Sequence, residues 1–412
     1  MSAPHRLNLT RLGWGLAVPI LFLSLVGMAA IHASDRSVKR GDDASGHVPL
    51  ADVNWVGKAR DAIGQLTLRQ ALYLLSGAGL MFAVTRPSYR RIGERAYLIY
   101  WAVVALLVML VVDKYGLIDF PFIARQNNTF RWINLRLFSI QPSEFMKLAL
   151  VLALARYLRF RKSFRTWPGL IPPFLLTLLP MALILKQPDL GTLLMLLPVL
   201  FAMLFVAGAR LWHLATIVGL GLATLPLFYY SGMEDYQKKR IQIVFRQNTA
   251  DERWQRSFGY QLRQSKIALG MGRVAGQGYR EGVFVEYELL PEQQNDFIFA
   301  IVGNQWGLVG CLLVILAYVV IVVCGLEVAL VTNDPFGRLL AVGIVVMIVA
   351  QALLNICMTM GLAPITGMPL PFVSAGGSSA WANFLAMGLL VNVAQRRPML
   401  IGRPPFKHEE EA

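Results

Sequence analysis

Apolar residues fall into ten long runs along the chain, separated by polar segments of unequal length. The runs cover residues 12–32, 69–85, 97–113, 145–159, 168–186, 190–208, 212–230, 297–331, 338–361 and 373–394. Most approach the length of about 20 residues with which an α-helix crosses the hydrocarbon core of a bilayer. The pattern therefore predicts an all-α polytopic membrane protein with ten transmembrane helices.

The run at 297–331 is longer than a bilayer requires. As one helix it would extend about 52 Å, whereas the hydrocarbon core is about 30 Å thick. No break of Gly, Pro or polar residues within it suits a hairpin. We therefore count it as one helix that projects from the membrane or lies tilted.

Basic clusters predict the orientation of these helices. They follow the second and fourth runs, at residues 86–95 and 156–165. Because Lys and Arg accumulate in cytoplasmic loops, ten spans place both termini and the tail 395–412 on the cytoplasmic side. The loop 33–68 and the large loop 231–296, between the seventh and eighth helices, are predicted to face outward. Residues 1–412 then form a single membrane domain, with its ten spans within 12–394.

Composition agrees with a membrane protein and excludes several function classes. Of 412 residues 56% are hydrophobic, the mean hydropathy is +0.53 and the net charge is +15. Such basic charge is typical of membrane flanks, and the absence of nucleic-acid motifs argues against a nucleic-acid partner. Single cysteines and scattered histidines argue against a disulfide framework and a catalytic zinc. The apolar run from residue 12 is long for a signal peptide, so we expect a retained first span.

Four unusual polar motifs begin even-numbered spans, which the predicted topology places together on the outer face. They are QPSEFMK at 141–147, KQPDLG at 186–191, QNDF at 294–297 and PFVSAGGSS at 371–379. Each could simply cap its helix. Four on one face also suit a functional site, since helix N-termini favour anions and ionisable residues at membrane depth are costly. Glu144 and Lys147 can pair, either as a structural clamp or around an anionic headgroup.

Asp296 has two interpretations that the sequence leaves open. It can act as the N-cap of the eighth helix, which contributes about 1 kcal/mol. It can also be a carboxylate at the boundary of water and lipid, where partial desolvation raises its pKa toward that of a general base.

The large outward loop contains short amphipathic stretches. The segment 259–272 mixes apolar residues with Arg263 and Lys266, as expected of a helix at an interface near acidic lipids. The glycine-rich stretch 276–282 predicts a mobile turn.

Taken in order, the motifs RWINL, QPSEFMKLALVLALARYL, KQPDLGT, YQKKRI, GYQLRQSKIALGMG, LLPEQQNDFIFA and NICMTMGLAPITGMPLPFVSAGGSS resemble the SEDS family. These are the bacterial RodA and FtsW proteins, which polymerise lipid II into glycan strands. The resemblance covers roughly residues 70–395 and leans toward RodA. It implies an inverting glycosyltransferase in the bacterial plasma membrane, acting at the outer surface in cell elongation or division.

The resemblance also implies roles for individual residues. Asp296 would be the catalytic base that deprotonates the incoming GlcNAc 4-hydroxyl. Residues implied to bind substrate or to organise its cavity are Arg131, Glu144, Lys147, Asp189, Arg240, Gln264, Ser265, Lys266, Ser374, Gly376, Gly377, Ser378 and Ser379. A divalent cation, Mg²⁺ or Mn²⁺, is an implied cofactor whose ligands the sequence does not identify. The implied partners are lipid II, the growing glycan strand and a class B penicillin-binding protein.

Several residues depart from the family pattern. They are Gln294 and Asn295 before the expected base, Asn304 and Gln305 after it, and Ala375 in the serine-glycine turn. These changes keep a catalytically inactive scaffold open as an alternative. A lipid-II flippase is a second alternative, although the acids gather at outer helix starts rather than mid-span.

Overall fold

The structure is a computed structural model that describes residues 12–35, 64–118, 120–126, 129–135, 138–161, 163–231, 233, 235–247, 259–281, 284 and 289–396. Most of the predicted loop 33–68 and nearly all of the tail 395–412 lie outside these ranges.

The described part of the chain is mainly helical. Its α-helices are α1 (Leu12–Ala33), α2 (Gln65–Thr85), α3 (Tyr89–Glu94), α4 (Ala96–Lys114), α5 (Pro142–Leu158), α6 (Trp167–Lys186), α7 (Leu190–Ala207), α8 (Leu211–Ser231), α9 (Asp235–Phe245), α10 (Tyr260–Met271), α11 (Ile298–Val331), α12 (Pro335–Met360) and α13 (Gly377–Gln395). A 3₁₀ turn occupies Ser163–Arg165.

Each of the ten predicted apolar runs coincides with one of these helices. Among the described residues, seven helices are long and apolar enough to cross a membrane: α1, α2, α4, α6, α7, α11 and α12. Helix α5 is shorter, at 17 residues, and α13 is less apolar, whereas α8 is a helix of 21 residues that is apolar over Leu211–Thr224. The chain is thus a polytopic membrane protein by its helices, and the count of ten spans stays a prediction.

Helices α5 and α12 form the centre of the bundle. Nearly all residues of α5 are buried, and α5 packs against α4, α7 and α12. Helix α2 packs along α13, and α1 packs along α11. Outer helices expose large apolar side chains, such as Leu72, Trp101 and Leu175, as expected of surfaces that contact lipid.

A small antiparallel sheet corrects the all-α prediction. Its strands are β1 (Ile123–Gln126), β2 (Thr129–Asn134) and β3 (Ser139–Ile140), in the order β1-β2-β3. Ile133 of β2 pairs with Ile123 on one side and Ile140 on the other. Ile123 and Ile133 are buried against Leu110 of α4, which fixes the sheet over the end of that helix.

Helix α11 is one element, as predicted, but it breaks at Gly307. This residue has φ +64°, and a Cβ there would lie 2.4 Å from the backbone of the turn after α10, so only glycine suits the position. The turn supplies bonds at the break: Leu308 N–H donates to Arg273 C=O at 2.9 Å, and Gln277 N–H donates to Asn304 C=O at 2.9 Å. Within the stretch 276–282, predicted to form a mobile turn, Gln277 and Gly278 thus donate backbone hydrogen bonds to α11.

Candidate active site

A cavity of about 650 Å³ opens beside the start of α11. Its walls come from the first turns of α2, the strands β2 and β3, residues 295–296, residues 367–369 and the segment 375–379 that starts α13. Arg69, Tyr73 and Trp132 give the cavity a basic and aromatic lining. The volume lies in the range of pockets that bind small ligands.

Asp296 lies on the cavity wall, where its backbone makes hydrogen bonds but its carboxylate accepts none from the described residues. The Asp296 N–H donates to Glu292 C=O at 3.1 Å, and the Asp296 C=O accepts from Asn355 Nδ2 at 2.8 Å. The side chain is partly buried, and no other described residue donates a hydrogen bond to its carboxylate. These oxygens can therefore accept a proton from a ligand in the cavity.

The surroundings of Asp296 raise its proton affinity. Burial raises the pKa of Asp296 from 3.8 to about 7, and the Glu292 and Asp189 carboxylates act in the same direction. Arg240 and Arg131 lower the pKa and only partly offset the rise. A carboxyl group with a pKa near 7 is matched to general-base chemistry at neutral pH.

Gly367 lies close to both the Asp296 carboxylate and the Arg240 guanidinium. Its φ of +72° turns the segment 361–376 past Asp296, and a Cβ there would lie 3.4 Å from Asp296 Oδ2. The same Cβ would lie 3.8 Å from Arg240 Nη1, which donates to Ile365 C=O at 3.1 Å. Arg240, on α9, is thus placed beside the acid.

Ser374 and Gly376 brace the cavity wall. The buried Ser374 hydroxyl donates to Asn295 C=O at 2.6 Å and accepts from Leu370 N–H at 2.7 Å. Gln70 on α2 donates to Ser374 C=O at 3.2 Å and accepts from Gly376 N–H at 3.1 Å. Ser374 thus holds the residue before Asp296, and Gln70 joins the segment 374–376 to α2.

The first turn of α13 forms one side of the cavity. Gly376, Gly377 and Ser379 line it, whereas the buried Ser378 hydroxyl donates to Ser139 C=O at 3.1 Å and accepts from Gln141 N–H at 3.1 Å. The positive end of the α13 dipole therefore lies at the cavity wall, where it favours an anionic group.

Asp189 is fully engaged as a structural group. It caps α7 by accepting from Thr192 N–H at 3.2 Å and from Thr192 Oγ1 at 3.0 Å. Its Oδ2 also accepts from Ser143 Oγ at 2.9 Å and Gln141 Nε2 at 3.1 Å, so the residue joins α7 to the start of α5. Its side chain is buried. The capping interpretation of this motif fits these contacts.

Glu144 and Lys147 form a buried ion pair on α5. Lys147 Nζ lies 2.8 Å from Glu144 Oε2, with side-chain exposures of 1% and 3%. Lys147 also donates to Gln351 Oε1 at 2.8 Å, and Gln351 donates to Pro369 C=O at 2.8 Å. Since these contacts tie α5 to α12 and to the cavity wall, the geometry favours the structural clamp over the headgroup site.

Arg131 holds the chain before α7. From β2 its guanidinium donates to Gln187 C=O at 2.6 Å and to Pro188 C=O. The residue also lies near enough to Asp296 to lower the pKa of that acid.

Gln264, Ser265 and Lys266 lie on α10, outside the lining of the Asp296 cavity. Ser265 is buried and donates to Thr359 C=O at 2.8 Å. Lys266 donates to Gln247 at 3.1 Å and lines a separate cavity of about 230 Å³ between α9 and α10. Of these three residues, Gln264 is partly buried and lines neither cavity.

A family model for FtsW, RodA and SpoVE, described as "Cell cycle protein", matches residues 53–398. The chain belongs to the FtsW/RodA/SpoVE family. It is 36% identical to a probable peptidoglycan glycosyltransferase FtsW of Geobacter metallireducens, over 80% of this chain and 84% of that protein. It is 30% identical to the peptidoglycan glycosyltransferase RodA of Treponema pallidum, over 93% and 97% of the two chains. Relatives of both names match, so the similarity does not favour RodA over FtsW.

A solved structure supports this family fold. The chain is similar, with a TM-score of 0.71 and 26% identity, to a chain from a study titled "Structural coordination of polymerization and crosslinking by a peptidoglycan synthase complex". The match covers 93% of this chain and 98% of that one.

The departures from the family pattern serve the local structure. Gln294 donates to Ser34 C=O at 2.7 Å and its C=O accepts from Ala375 N–H at 2.9 Å. Asn304 donates to Gln277 at 3.2 Å, and Gln305 accepts from Arg280 N–H at 2.6 Å. Asn304 and Gln305 thus join α11 to the turn after α10, and Gln294 joins the segment before α11 to Ser34 and Ala375. None of these contacts involves the Asp296 carboxylate.

The sequence analysis did not identify Arg69 or Asn355 as residues of this candidate site. Arg69 is exposed on the cavity wall, and Asn355 is buried behind Asp296. The basic residue Arg69 at the start of the second predicted span was a usable signal. Asn355 lies within an apolar run, and its contact with a residue 59 positions earlier has no local signature.

The described residues form no preformed cluster for a resident divalent cation, so this cofactor stays a prediction. Among them no three His, Cys, Asp or Glu side chains converge. Glu144 is paired with Lys147, and the Asp189 oxygens accept hydrogen bonds, so neither presents a free carboxylate to an ion.

Proposed function

We propose that this protein is a peptidoglycan glycosyltransferase that polymerises lipid II at the outer face of the bacterial plasma membrane and releases undecaprenyl pyrophosphate. The observation that carries the proposal is Asp296, a carboxylate with a pKa near 7 and no hydrogen-bond donor among the described residues, on the wall of a cavity of about 650 Å³. Relatives over most of the chain are named peptidoglycan glycosyltransferases.

The reaction uses Asp296 as a general base. Its carboxylate takes the proton of the GlcNAc 4-hydroxyl as that oxygen attacks C1 of the lipid-linked MurNAc. The bond from C1 to the pyrophosphate oxygen breaks, and its electron pair leaves with undecaprenyl pyrophosphate. Attack opposite the leaving group inverts the configuration at C1. General-base catalysis of this kind contributes about 100- to 10,000-fold in rate.

The leaving group gathers negative charge, which the cavity can stabilise. Arg69 on the wall, Arg240 beside Gly367 and the N-terminus of α13 are the groups placed for this role. Lys147 is buried in its ion pair and Arg131 donates to backbone carbonyls, so we assign both to support of the site.

The proposal includes the predicted topology of ten spans with both termini in the cytoplasm. Each apolar run coincides with a helix, and the basic residues between α2 and α4 and between α5 and α6 support a cytoplasmic position for these connections. The cavity beside Asp296 then opens toward the outer face.

We also propose a class B penicillin-binding protein as partner. A polymerase alone makes uncrosslinked strands, so a crosslinking enzyme must act on its product. The similar solved chain comes from a complex whose title joins polymerization and crosslinking.

Glycan polymerisation tests the proposal directly. Purified protein receives labelled lipid II, with and without a cognate transpeptidase and a divalent metal, beside Asp296→Ala and the control Asp334→Asn, which alters the cap of α12. Polymer from the wild type and the control, and none from Asp296→Ala, would support the enzyme. Translocation of lipid II in vesicles that survives Asp296→Ala, without polymer from the wild type, would support a flippase. Absence of both activities would leave a scaffold.

A further inference from the structure

Asn355 lies directly behind Asp296 and bridges two backbone carbonyls. Its Nδ2 donates to Asp296 C=O at 2.8 Å and to Met368 C=O at 2.6 Å. The side chain is fully buried within α12. One amide thus joins the residue that carries the acid to the segment 361–376, whose Gly367 lies against the carboxylate.

The backbone before Asp296 is held by the same segment. Ser374 Oγ donates to Asn295 C=O at 2.6 Å, and Ala375 N–H donates to Gln294 C=O at 2.9 Å. Three consecutive carbonyls, of residues 294 to 296, therefore accept hydrogen bonds from α12 or from the segment that follows it. By contrast, the Asp296 carboxylate receives none from the described residues.

We infer that Asn355 is a positioning residue, which holds Asp296 against residues 367–368 so that its carboxylate meets the acceptor hydroxyl. This inference rests on the proposed function of Asp296. The physical basis is that a base must lie within hydrogen-bond reach of its proton, and a displacement of about 1 Å can cost about 100-fold in rate.

Loss of the bridge would alter both geometry and protonation. Without Asn355, the Asp296 segment can shift away from Gly367 and admit water, which lowers the pKa of the acid toward its ordinary value because burial is the main cause of the rise. The charged groups that act on Asp296 are Glu292 before it, Asp189 beside α7, Arg240 on α9 and Arg131 on β2. None of these four is changed by a substitution at residue 355.

The chain offers a matched control in Asn392 on α13. This residue is also fully buried, and its Nδ2 also bridges two backbone carbonyls, of Val84 and Pro87, each at 2.7 Å. It lies at the opposite end of α13 from the cavity, next to α3. Replacement of either asparagine by alanine removes an Nδ2 bridge between two carbonyls from a buried site, and at position 392 it also removes the acceptor of the Tyr89 N–H.

The test compares Asn355→Ala with Asn392→Ala by initial rates of lipid II polymerisation across pH 5.5 to 9, corrected for folded protein by thermal denaturation. We expect Asn355→Ala to lower kcat about 10- to 100-fold with a smaller change in KM, and to move the acidic limb of the rate profile to lower pH. Asn392→Ala should lower the thermal stability but leave kcat and the pH of the acidic limb unchanged. Asn355→Ser, which keeps a polar side chain, supplies the same readouts if the alanine variant does not fold.

Equal kcat values and pH profiles for the position-355 and position-392 variants would overturn the inference and leave Asn355 a structural residue. The wild type serves as the separate check on the proposed function. If the wild type makes no polymer, the polymerase proposal fails. If the wild type is active and Asp296→Ala is inactive, the proposed function is supported, and the position-355 variants then test the inference about Asn355 alone.

Discussion

Asp189 and Asp296 both precede long apolar helices, yet their carboxylates have opposite surroundings. Asp189 accepts hydrogen bonds from Thr192, Ser143 and Gln141. Asp296 accepts none from the described residues, while its backbone carbonyl is bound by Asn355. Asp189 is buried, whereas Asp296 is partly buried on the cavity wall.

This difference assigns a structural role to Asp189 and a catalytic role to Asp296. The hydrogen bonds that Asp189 accepts come from the chain itself, so its oxygens are occupied by structural contacts. A desolvated carboxylate without donors holds a proton more strongly, as the pKa of about 7 for Asp296 reflects. A supporting acid and a candidate base can therefore be told apart at this site by whether the carboxylate oxygens accept hydrogen bonds from the chain.

The strongest test of the contrast is Asp296→Asn. We expect polymerisation to fall about 100- to 10,000-fold, because the amide cannot accept the proton. The folded pKa is raised, so the folded state binds more protons between about pH 4 and 7 and loses stability as pH rises through that window. At pH 8 the neutral asparagine should therefore raise the thermal midpoint. A variant that remains active, or one that is less stable at pH 8, would contradict the assignment.

The buried ion pair should give the largest loss of stability. Lys147→Met leaves the Glu144 charge without its partner, and the expected cost is about 3–5 kcal/mol of unfolding free energy. The double variant Glu144→Gln with Lys147→Met should recover much of this loss. Denaturation in detergent measures the unfolding free energy of both variants. An unchanged unfolding free energy for Lys147→Met would argue against a buried ion pair.

A smaller loss is expected for Asp189→Asn. The amide nitrogen cannot accept from the buried donors, which costs about 1–3 kcal/mol. The rate per folded molecule should stay within a few-fold of wild type. Asp334→Asn, at a cap with one backbone bond from Gly337, should cost less and serves as the comparison. Loss of activity at Asp189 without loss of stability would place that acid in the chemistry.

The pH profile tests the charges around Asp296. The wild-type rate should rise with pH through a midpoint near 7, because the base must be deprotonated. Glu292→Gln removes a like charge and should lower the midpoint, whereas Arg240→Gln removes an attractive charge and should raise it. Initial rates across pH 5.5 to 9 give the three midpoints. A common midpoint would show that another group controls the profile.

Chelation should have the smallest effect. No acidic cluster among the described residues is built to cage a cation, so EDTA should leave the thermal midpoint of the substrate-free protein unchanged. Differential scanning measurements with Mg²⁺, Mn²⁺ and EDTA check this. A clear stabilisation by either ion would reveal a protein-bound site.

Much of the helical fold could be predicted, because apolar runs of span length have few alternatives in a membrane protein. The sequence also identified Glu144 and Lys147 as a pair, from their spacing of three residues on one helix. It did not decide between clamp and headgroup site, because the deciding contact comes from Gln351 on a distant helix.

The missed features depend on tertiary contacts. Gly307 looks like one of several glycines in an apolar run, and only its packing against the turn after α10 shows why the helix breaks there. The sheet at 123–140 has short strands with weak alternation, so its register depends on burial against Leu110. Asn355 belongs to the same group, since its partners lie outside its own helix.

The break at Gly307 has a mechanical consequence. It divides α11 into the short part 298–306, which follows Asp296 and contacts the turn after α10, and a part of about 36 Å at 308–331. Hydrogen bonds from the turn reach both parts, because Gln277 N–H donates to Asn304 C=O and Leu308 N–H donates to Arg273 C=O. The short part is therefore held at the end that lies away from Asp296. A substitution that displaces the turn after α10 is expected to affect the Asp296 site through this part of the helix.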